Sequence, residues 1–239
     1  YFAARLSRVL SVTLPIIVFT VIFDLIGTGR AEEIYGAEYQ TWDLAPLRVL
    51  ISLALVNENW LSAQLFSNVP YWSISYEAWY YILFGCLCFT QGKVRLLLSS
   101  VVLLIMGPKI LLLAPVWYMG YVAFHYRDRI VKNNLAAWLL MILSLSLLIA
   151  YEGYHLRQWA EAMVRSAFGT SAVIYLNFSR SFLSDYILGL AVFFHFISVA
   201  YLLRNFNGGL KPLSKLVVLA SSPTFFLYLI HQPMLFLLY

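Results

Sequence analysis

The stretch NVPYWSISYEAWYYILFG, residues 68–85, places one carboxylate among aromatic and aliphatic side chains. Helical spacing puts Glu77 on one broad face with Ser73, Tyr80 and Tyr81. A charged residue at the centre of a membrane helix costs about 2.5–3.5 kcal/mol on insertion scales, so Glu77 needs a proton, a cation or a polar cavity. Because hydroxyl groups share its face, we predict a functional cavity. The alternative is a carboxylate that pairs with an arginine only to hold two helices together.

The composition indicates the kind of protein in which this helix lies. Of the 239 residues, 62% are hydrophobic and 11% are charged, and the mean hydropathy is +0.79. A soluble domain carries about 25% charged residues and about 45–50% apolar ones. We therefore predict an integral membrane protein. The net charge of +5 comes from basic residues scattered along the loops, a pattern that orients membrane helices and does not indicate nucleic-acid binding.

Seven apolar segments are long enough, or nearly long enough, to cross a bilayer as helices. They are residues 8–27, 71–90, 94–107, 110–126, 135–151, 183–203 and 216–239, with a turn predicted at Gly107-Pro108-Lys109. The shorter segment 44–56 contains Arg48 and suits an interfacial or re-entrant helix better than a full span. These segments predict an all-α fold, a polytopic transmembrane helical bundle with about seven to eight spans, in a single domain over residues 1–239.

The distribution of basic residues predicts the orientation of these spans. If 44–56 does not cross the membrane, ten of the 16 basic residues fall on one side, which we assign to the cytoplasm. The loops predicted on that side are 91–95, 127–134 and 204–215. The segments predicted to face outward are the acidic segment 28–43, with Glu32, Glu33, Glu38 and Asp43, and the long loop 152–182.

Three motifs occur in order along the chain. The first, within residues 68–85, is an Asn- and Pro-containing loop followed by Trp-Ser-x-x-x-Glu and an aromatic helix. The second, YFAARLSRVLSVTLP, enters a span with Arg5 and Arg8, and the third, ASSPTFFLYLIHQPMLFLLY, carries a Tyr-Leu-x-His-x-Pro pattern around His231. Together these motifs resemble the membrane-bound acyltransferase family 3, and they are spread over the whole chain.

The resemblance implies an O-acyltransferase that moves an acyl group, often acetyl, from cytoplasmic acyl-CoA to a hydroxyl group. The implied acceptor is a sugar, a glycan or a lipid-linked molecule, as in polysaccharide modification. No bound cofactor is implied, since acyl-CoA is the donor substrate. The implied partners are this acceptor and membrane lipid, without nucleic acid, in a multi-pass protein of the bacterial inner membrane. The family's best-known catalytic histidine and an accompanying arginine lie on a first span. We therefore expect the sequence to be N-terminally truncated by two spans and inactive alone.

Acyl transfer to a hydroxyl group requires a base and donors that hold the developing oxyanion. The predicted catalytic residues are Glu77, Ser73 and His231. The predicted substrate-binding residues are Arg5, Arg8, Trp72, Tyr80 and Tyr81. The forked donors of arginine suit the phosphates of CoA. Ordinary positive-inside anchoring explains Arg5 and Arg8 equally well, and a helix-packing hydrogen bond explains His231 equally well.

The remaining candidate residues point to less specific chemistry. His195, in AVFFHFISV, has no motif around it and is expected to be packed or hydrogen-bonded between helices. Cys86 and Cys88 point in different directions on a helix, and no His/Cys/Asp/Glu spacing suggests a metal site. Two other functions stay open. A transporter or flippase would use Glu77, His195 and His231 along a substrate or proton pathway and should show inverted repeats, which we do not find. A non-catalytic scaffold would use Glu77 only to join helices.

Overall fold

The computed structural model describes residues 1–28, 42, 44–205, 217–221 and 223–238. Regular structure within these residues is helical, which confirms the all-α prediction. The helices are α1 Phe2–Gly27, α2 Ala45–Leu53, α3 Trp72–Phe89, α4 Gly92–Ile130, α5 Asn134–Gly153, α6 Leu156–Phe168, α7 Thr170–Leu176, α8 Phe182–Leu202 and α9 Thr224–Leu238. The predicted acidic residues Glu32, Glu33, Glu38 and Asp43, and most of the predicted loop 204–215, lie outside the described residues.

Four helical stretches in the described part of the chain are long and apolar enough to cross a membrane. They are Phe2–Gly27, Gly92–Ile130, Asn134–Gly153 and Thr170–Leu202. The last helix, α9, is apolar but has only 15 residues. Helix α3 has 18 residues, among them Glu77 and several Tyr and Trp residues, and is not among these four. The count of seven to eight spans therefore stays a prediction.

The chain divides into two compact units, which are described separately. The first comprises Tyr1–Gly107 and Leu216–Tyr239, and the second comprises Pro108–Lys215. The single domain predicted over residues 1–239 stays a prediction. The boundary falls within α4 at Gly107, whose φ of 72° and ψ of 172° are not helical, so the predicted turn is a break in the helix. An added Cβ at Gly107 would lie 2.7 Å from the Asn59 carbonyl oxygen, so both the conformation and the close contact require glycine.

The first unit is built around α1, which packs against α9, α3 and α2. Its buried core residues come from α1, α3 and α9 and from the chain between α2 and α3. They are Val9, Ile16, Ile17, Leu55, Leu65, Phe66, Tyr71, Ile74, Ala78, Leu229 and Ile230, with Ala45, Val49 and Leu53 of α2 packed against them. Van der Waals packing of this kind is a main source of association between helices in a bilayer.

Helix α2 and the chain that follows it are fixed by hydrogen bonds. Because α2 has nine residues, it is too short to cross a membrane, as predicted for 44–56. Its place relative to a bilayer stays a prediction. After α2, the Trp79 indole donates to the Leu55 carbonyl at 2.9 Å. The Trp60 indole donates to the Leu104 carbonyl at 2.8 Å. These bonds tie the segment to α3 and α4.

In the second unit α5 and α8 pack along their length. Helix α5 begins after Asn133, whose side-chain oxygen accepts a hydrogen bond from the Ala136 N–H at 2.8 Å. The Ser144 hydroxyl of α5 lies 3.3 Å from Nδ1 of His195 in α8. The prediction that His195 is hydrogen-bonded between helices is therefore confirmed.

The prediction that 152–182 is a long loop is wrong, because most of this segment forms α6 and α7. In α6 an ion pair of 3.1 Å joins Glu161 and Arg165 across one helical turn. On another face Val164 is buried with Val173 of α7. The charged face lowers the hydropathy below that of a spanning helix, and this made the segment look like a loop.

Candidate functional site

Helices α1 and α3 run antiparallel, so the start of α1 lies beside the end of α3. The ring centroids of Tyr1 and Phe89 are 5.0 Å apart. At the opposite end, the Asp24 carboxylate accepts hydrogen bonds from Ser67, shortly before α3. The first turns of α1, which carry the two predicted arginines, therefore lie beside the second half of α3.

Glu77 and three other predicted site residues are brought together at this contact. The Tyr81 hydroxyl donates a hydrogen bond to Oε1 of Glu77, which is half-buried. The guanidinium carbon of Arg5 lies 5.2 Å from the centroid of the Tyr81 ring, a cation–π contact. Arg8 is close enough to interact electrostatically with Tyr81. These four residues, Glu77, Tyr81, Arg5 and Arg8, are called the Glu77 cluster below.

The charges of the Glu77 cluster are close but not joined as an ion pair. Within the part of the chain that the structure describes, no arginine nitrogen lies within 4.0 Å of the Glu77 carboxylate. Arg5 is half-buried and Arg8 is exposed. The tyrosine thus separates the carboxylate from the cations, and the guanidinium groups keep donors for an anionic ligand.

The other predicted residues of α3 make different contacts. The Ser73 hydroxyl donates to the Pro70 carbonyl at 3.0 Å, within its own turn. The Trp72 ring packs edge-on against Tyr76, with centroids 4.9 Å apart. Tyr80 is buried, with its centroid 6.3 Å from that of Tyr76. The contacts that define the Glu77 cluster are made by Tyr81, and the site roles of Ser73, Trp72 and Tyr80 stay predictions.

His231 lies in the same unit as Glu77, on the exposed side of α9. Its Nδ1 is 2.6 Å from the Tyr228 carbonyl oxygen. A carbonyl only accepts, so this contact requires a proton on Nδ1, and in the neutral ring Nε2 is then an acceptor. The opposite side of α9 carries Leu229 and Ile230 into the core of the unit. A catalytic role for His231 stays a prediction.

A second polar group, which the sequence pattern did not reveal, lies at the other end of the α1–α3 pair. Asp24 is fully buried, and its two carboxylate oxygens accept from the Ser67 N–H at 2.9 Å and the Ser67 hydroxyl at 2.5 Å. One turn earlier, the Thr20 hydroxyl accepts from the Asn68 side-chain amide at 2.8 Å. These four residues, Asp24, Thr20, Ser67 and Asn68, are called the Asp24 contact below. Its bonds join residues more than 40 positions apart, which no local pattern reveals.

The Asp24 contact also determines how α3 begins. Asn68 precedes this helix, but its side chain makes no cap and bonds to Thr20 instead. A 3₁₀ turn, Val69–Tyr71, contains Pro70 and precedes α3, which begins at Trp72. The start of α3 is therefore fixed by a tertiary contact with α1.

A family model described as an acyltransferase domain matches residues 1–239. The chain belongs to acyltransferase family 3. The match confirms the resemblance seen in the three motifs, and with its long apolar helices this acyltransferase is a multi-pass membrane protein. Searches of curated proteins and of solved structures found no match to the acyltransferase.

Proposed function

We propose that this acyltransferase moves an acyl group, in the first place acetyl, from cytoplasmic acyl-CoA to a hydroxyl group of a sugar, glycan or lipid-linked acceptor. The bacterial inner membrane is the proposed location. The proposal is supported above all by the Glu77 cluster, which combines a carboxylate and two arginines at one helix contact. The arginines suit a negatively charged donor, and the carboxylate suits a reaction in which a proton is removed.

The arginines account for donor binding. CoA carries phosphate groups, and the planar guanidinium group binds phosphate through two parallel hydrogen bonds. Arg8 is exposed and Arg5 half-buried, so both are accessible from the start of α1. Under the predicted topology this end of α1 faces the cytoplasm, where acyl-CoA is present.

The carboxylate accounts for proton transfer. In the reaction the acceptor oxygen attacks the thioester carbonyl and loses its proton, and the tetrahedral intermediate collapses as the CoA sulfur leaves and takes up a proton. Tyr81 donates a hydrogen bond to Oε1 of Glu77. In the proposed reaction Oε2 accepts a hydrogen bond from the general base that removes the hydroxyl proton, the histidine that the family resemblance implies. Glu77 then orients this base and stabilises its charged form, as the aspartate does in a Ser-His-Asp triad.

The test is Glu77→Gln in the full-length enzyme, which keeps the shape of the side chain and removes its charge. We expect transfer from acyl-CoA to fall about 100-fold or more, because the base loses its orienting carboxylate. Insertion and the melting temperature should stay close to those of the parent. Glu152→Gln, at an exposed glutamate near the end of α5, is the matched control and should keep full activity. Full activity of Glu77→Gln, or a loss no greater than the loss of folded protein, would show that Glu77 is only structural.

A further inference from the structure

The two ends of α3 are both held by α1. At the start of α3 the Asp24 contact joins the last turns of α1 to the residues just before the helix. At the end of α3 a Cβ added to Gly85 would lie 2.3 Å from the tip of the Phe2 ring, so glycine gives Phe2 the room to pack there. Between these contacts, Glu77 and Tyr81 lie beside the turns of α1 that carry Arg5 and Arg8.

The spacing along the two helices matches. From Thr20 to Arg5 the rise along α1 is about 22 Å at 1.5 Å per residue. From Asn68 to Tyr81 the path combines a 3₁₀ turn, at about 2 Å per residue, with α-helix, and also comes to about 22 Å. The two contacts therefore fit one register of α3 against α1. Because α3 is a continuous helix from Trp72 to Phe89, a shift at the Asp24 contact moves Tyr81 and Glu77 relative to Arg5.

We propose that Asp24 is a positioning residue for acyl transfer, and that its hold on Ser67 sets where Glu77 meets the donor held by Arg5 and Arg8. The inference rests on the function proposed above. It assigns a role to a fully buried carboxylate that the chemistry itself does not use. An intramembrane carboxylate is expensive to retain, and helix packing does not require one.

The requirement for aspartate follows from the two bonds to Ser67. A carboxylate offers two accepting oxygens, and Ser67 approaches them with two donors, its backbone N–H and its hydroxyl. Asparagine has the same shape but presents an NH₂ group in place of one oxygen. The Ser67 hydroxyl then has to turn and accept from this NH₂ group, and both bonds to Ser67 lose the strength that the charged carboxylate gives them. The variant Asp24→Asn therefore weakens the hold on Ser67 without opening a cavity.

The first experiment measures kinetics of Asp24→Asn in the full-length enzyme. We expect kcat to fall about 10- to 100-fold, because a displacement of about 1 Å in a reacting group costs rate on this scale. The KM for acyl-CoA should stay within about twofold, since Arg5 and Arg8 keep their place on α1. The matched control is Ser75→Ala, which removes a buried hydrogen bond to Asn57 on another face of α3. It should lower the melting temperature and leave kcat close to that of the parent.

The second experiment reports the helix register without activity. Arg5→Cys and Tyr81→Cys are combined in a background with Cys86→Ala and Cys88→Ser, and a short bifunctional thiol reagent cross-links positions 5 and 81. Adding Asp24→Asn should reduce the cross-linking yield several-fold, whereas adding Ser75→Ala should not change it.

The inference requires the expected result in both experiments, and a contrary result in either one overturns it. An unchanged kcat in Asp24→Asn, or a loss equal to that of Ser75→Ala at the same stability, shows that Asp24 is only structural. An unchanged cross-linking yield shows that Asp24 does not set the register, whatever the activity. If the parent enzyme transfers no acyl group from acyl-CoA, the proposed function fails, and the cross-linking yield still decides whether Asp24 positions α3.

Discussion

The helix pairs α1–α3 and α5–α8 show two ways of joining helices in one membrane protein. The α5–α8 contact is mainly apolar, with Ala137 and Ile197 buried in it. Its side-chain hydrogen bonds join Ser144 to His195 and the Ser198 hydroxyl to the Met141 sulfur. The α1–α3 contact has polar groups at both ends, the Asp24 contact and the Glu77 cluster. Since α5 and α8 associate without a charged group, stable packing does not explain the charges between α1 and α3. Their cost in a bilayer points to function.

The most direct test of whether the charges between α1 and α3 serve function is to remove the cations of this pair. In the full-length enzyme, Arg5→Gln with Arg8→Gln should raise the KM for acyl-CoA about 10-fold or more, because hydrogen bonds to charged groups contribute about 1.5–3 kcal/mol. The KM for the acceptor should change little. Lysine at both positions should restore donor binding only in part, because an ammonium group cannot form the paired contact with phosphate.

The control for the arginine pair is Arg127→Gln with Arg129→Gln. Both arginines are exposed and lie in the last turn of α4, so these substitutions also remove two exposed cations. This variant should keep the parent KM for acyl-CoA. If both double variants lose only expression, and lose it equally, Arg5 and Arg8 serve as ordinary positive-inside anchors.

A smaller effect is expected from Tyr81→Phe, which keeps the ring beneath Arg5 and removes the hydroxyl that bonds to Glu77. The free energy of about 1.4 kcal/mol associated with such a bond corresponds to a loss of kcat of about 10-fold. The KM for acyl-CoA should stay near that of the parent. Tyr186→Phe is matched to it, since it removes a hydroxyl that donates to the Leu112 carbonyl at 2.5 Å in the second unit. If the two variants have equal kinetics, the Tyr81 hydroxyl has no role in acyl transfer.

The smallest effect should come from the α5–α8 pair itself. Ser144→Ala removes the contact with His195, and we expect the free energy of unfolding to fall by about 0.5–1.5 kcal/mol. Acyl transfer should stay within about twofold of the parent. A thermal melt and a transfer assay on the same preparation measure both quantities. A large loss of transfer without loss of folded protein would place a functional group in the second unit and end the contrast between the two helix pairs.

The features of the site that follow helical spacing were predictable from sequence. Glu77 and Tyr81 are four residues apart, and the structure joins them by a hydrogen bond. Arg5 and Arg8 were identified by a motif, but their position beside Tyr81 depends on the antiparallel pairing of α1 and α3. Asp24 was not identified, because a single aspartate near the end of an apolar helix looks like an ordinary helix flank until Ser67 is known to contact it.

The prediction for the segment 152–182 failed for a different reason. Its hydropathy was too low for a span, and the charged residues of α6 suggested an exposed loop. The signal for an amphipathic helix was present, since Ala160 and Val164 are four residues apart and both are buried. Glu161 and Arg165 have the same spacing on the charged face. Helical periodicity, in addition to apolar length, therefore identifies α6.

The packing of α9 against α1 also constrains the order in which the protein assembles. Leu229 and Ile230 complete the core around Val9, Ile16 and Ile17, more than 200 residues earlier in the chain. At a synthesis rate of about 5–20 residues per second, α1 waits on the order of 10 to 40 s before α9 has been made. The second unit is continuous in sequence and can pack during this interval. The helix that carries Arg5 and Arg8 is thus synthesised more than 200 residues before the helix that completes its surroundings.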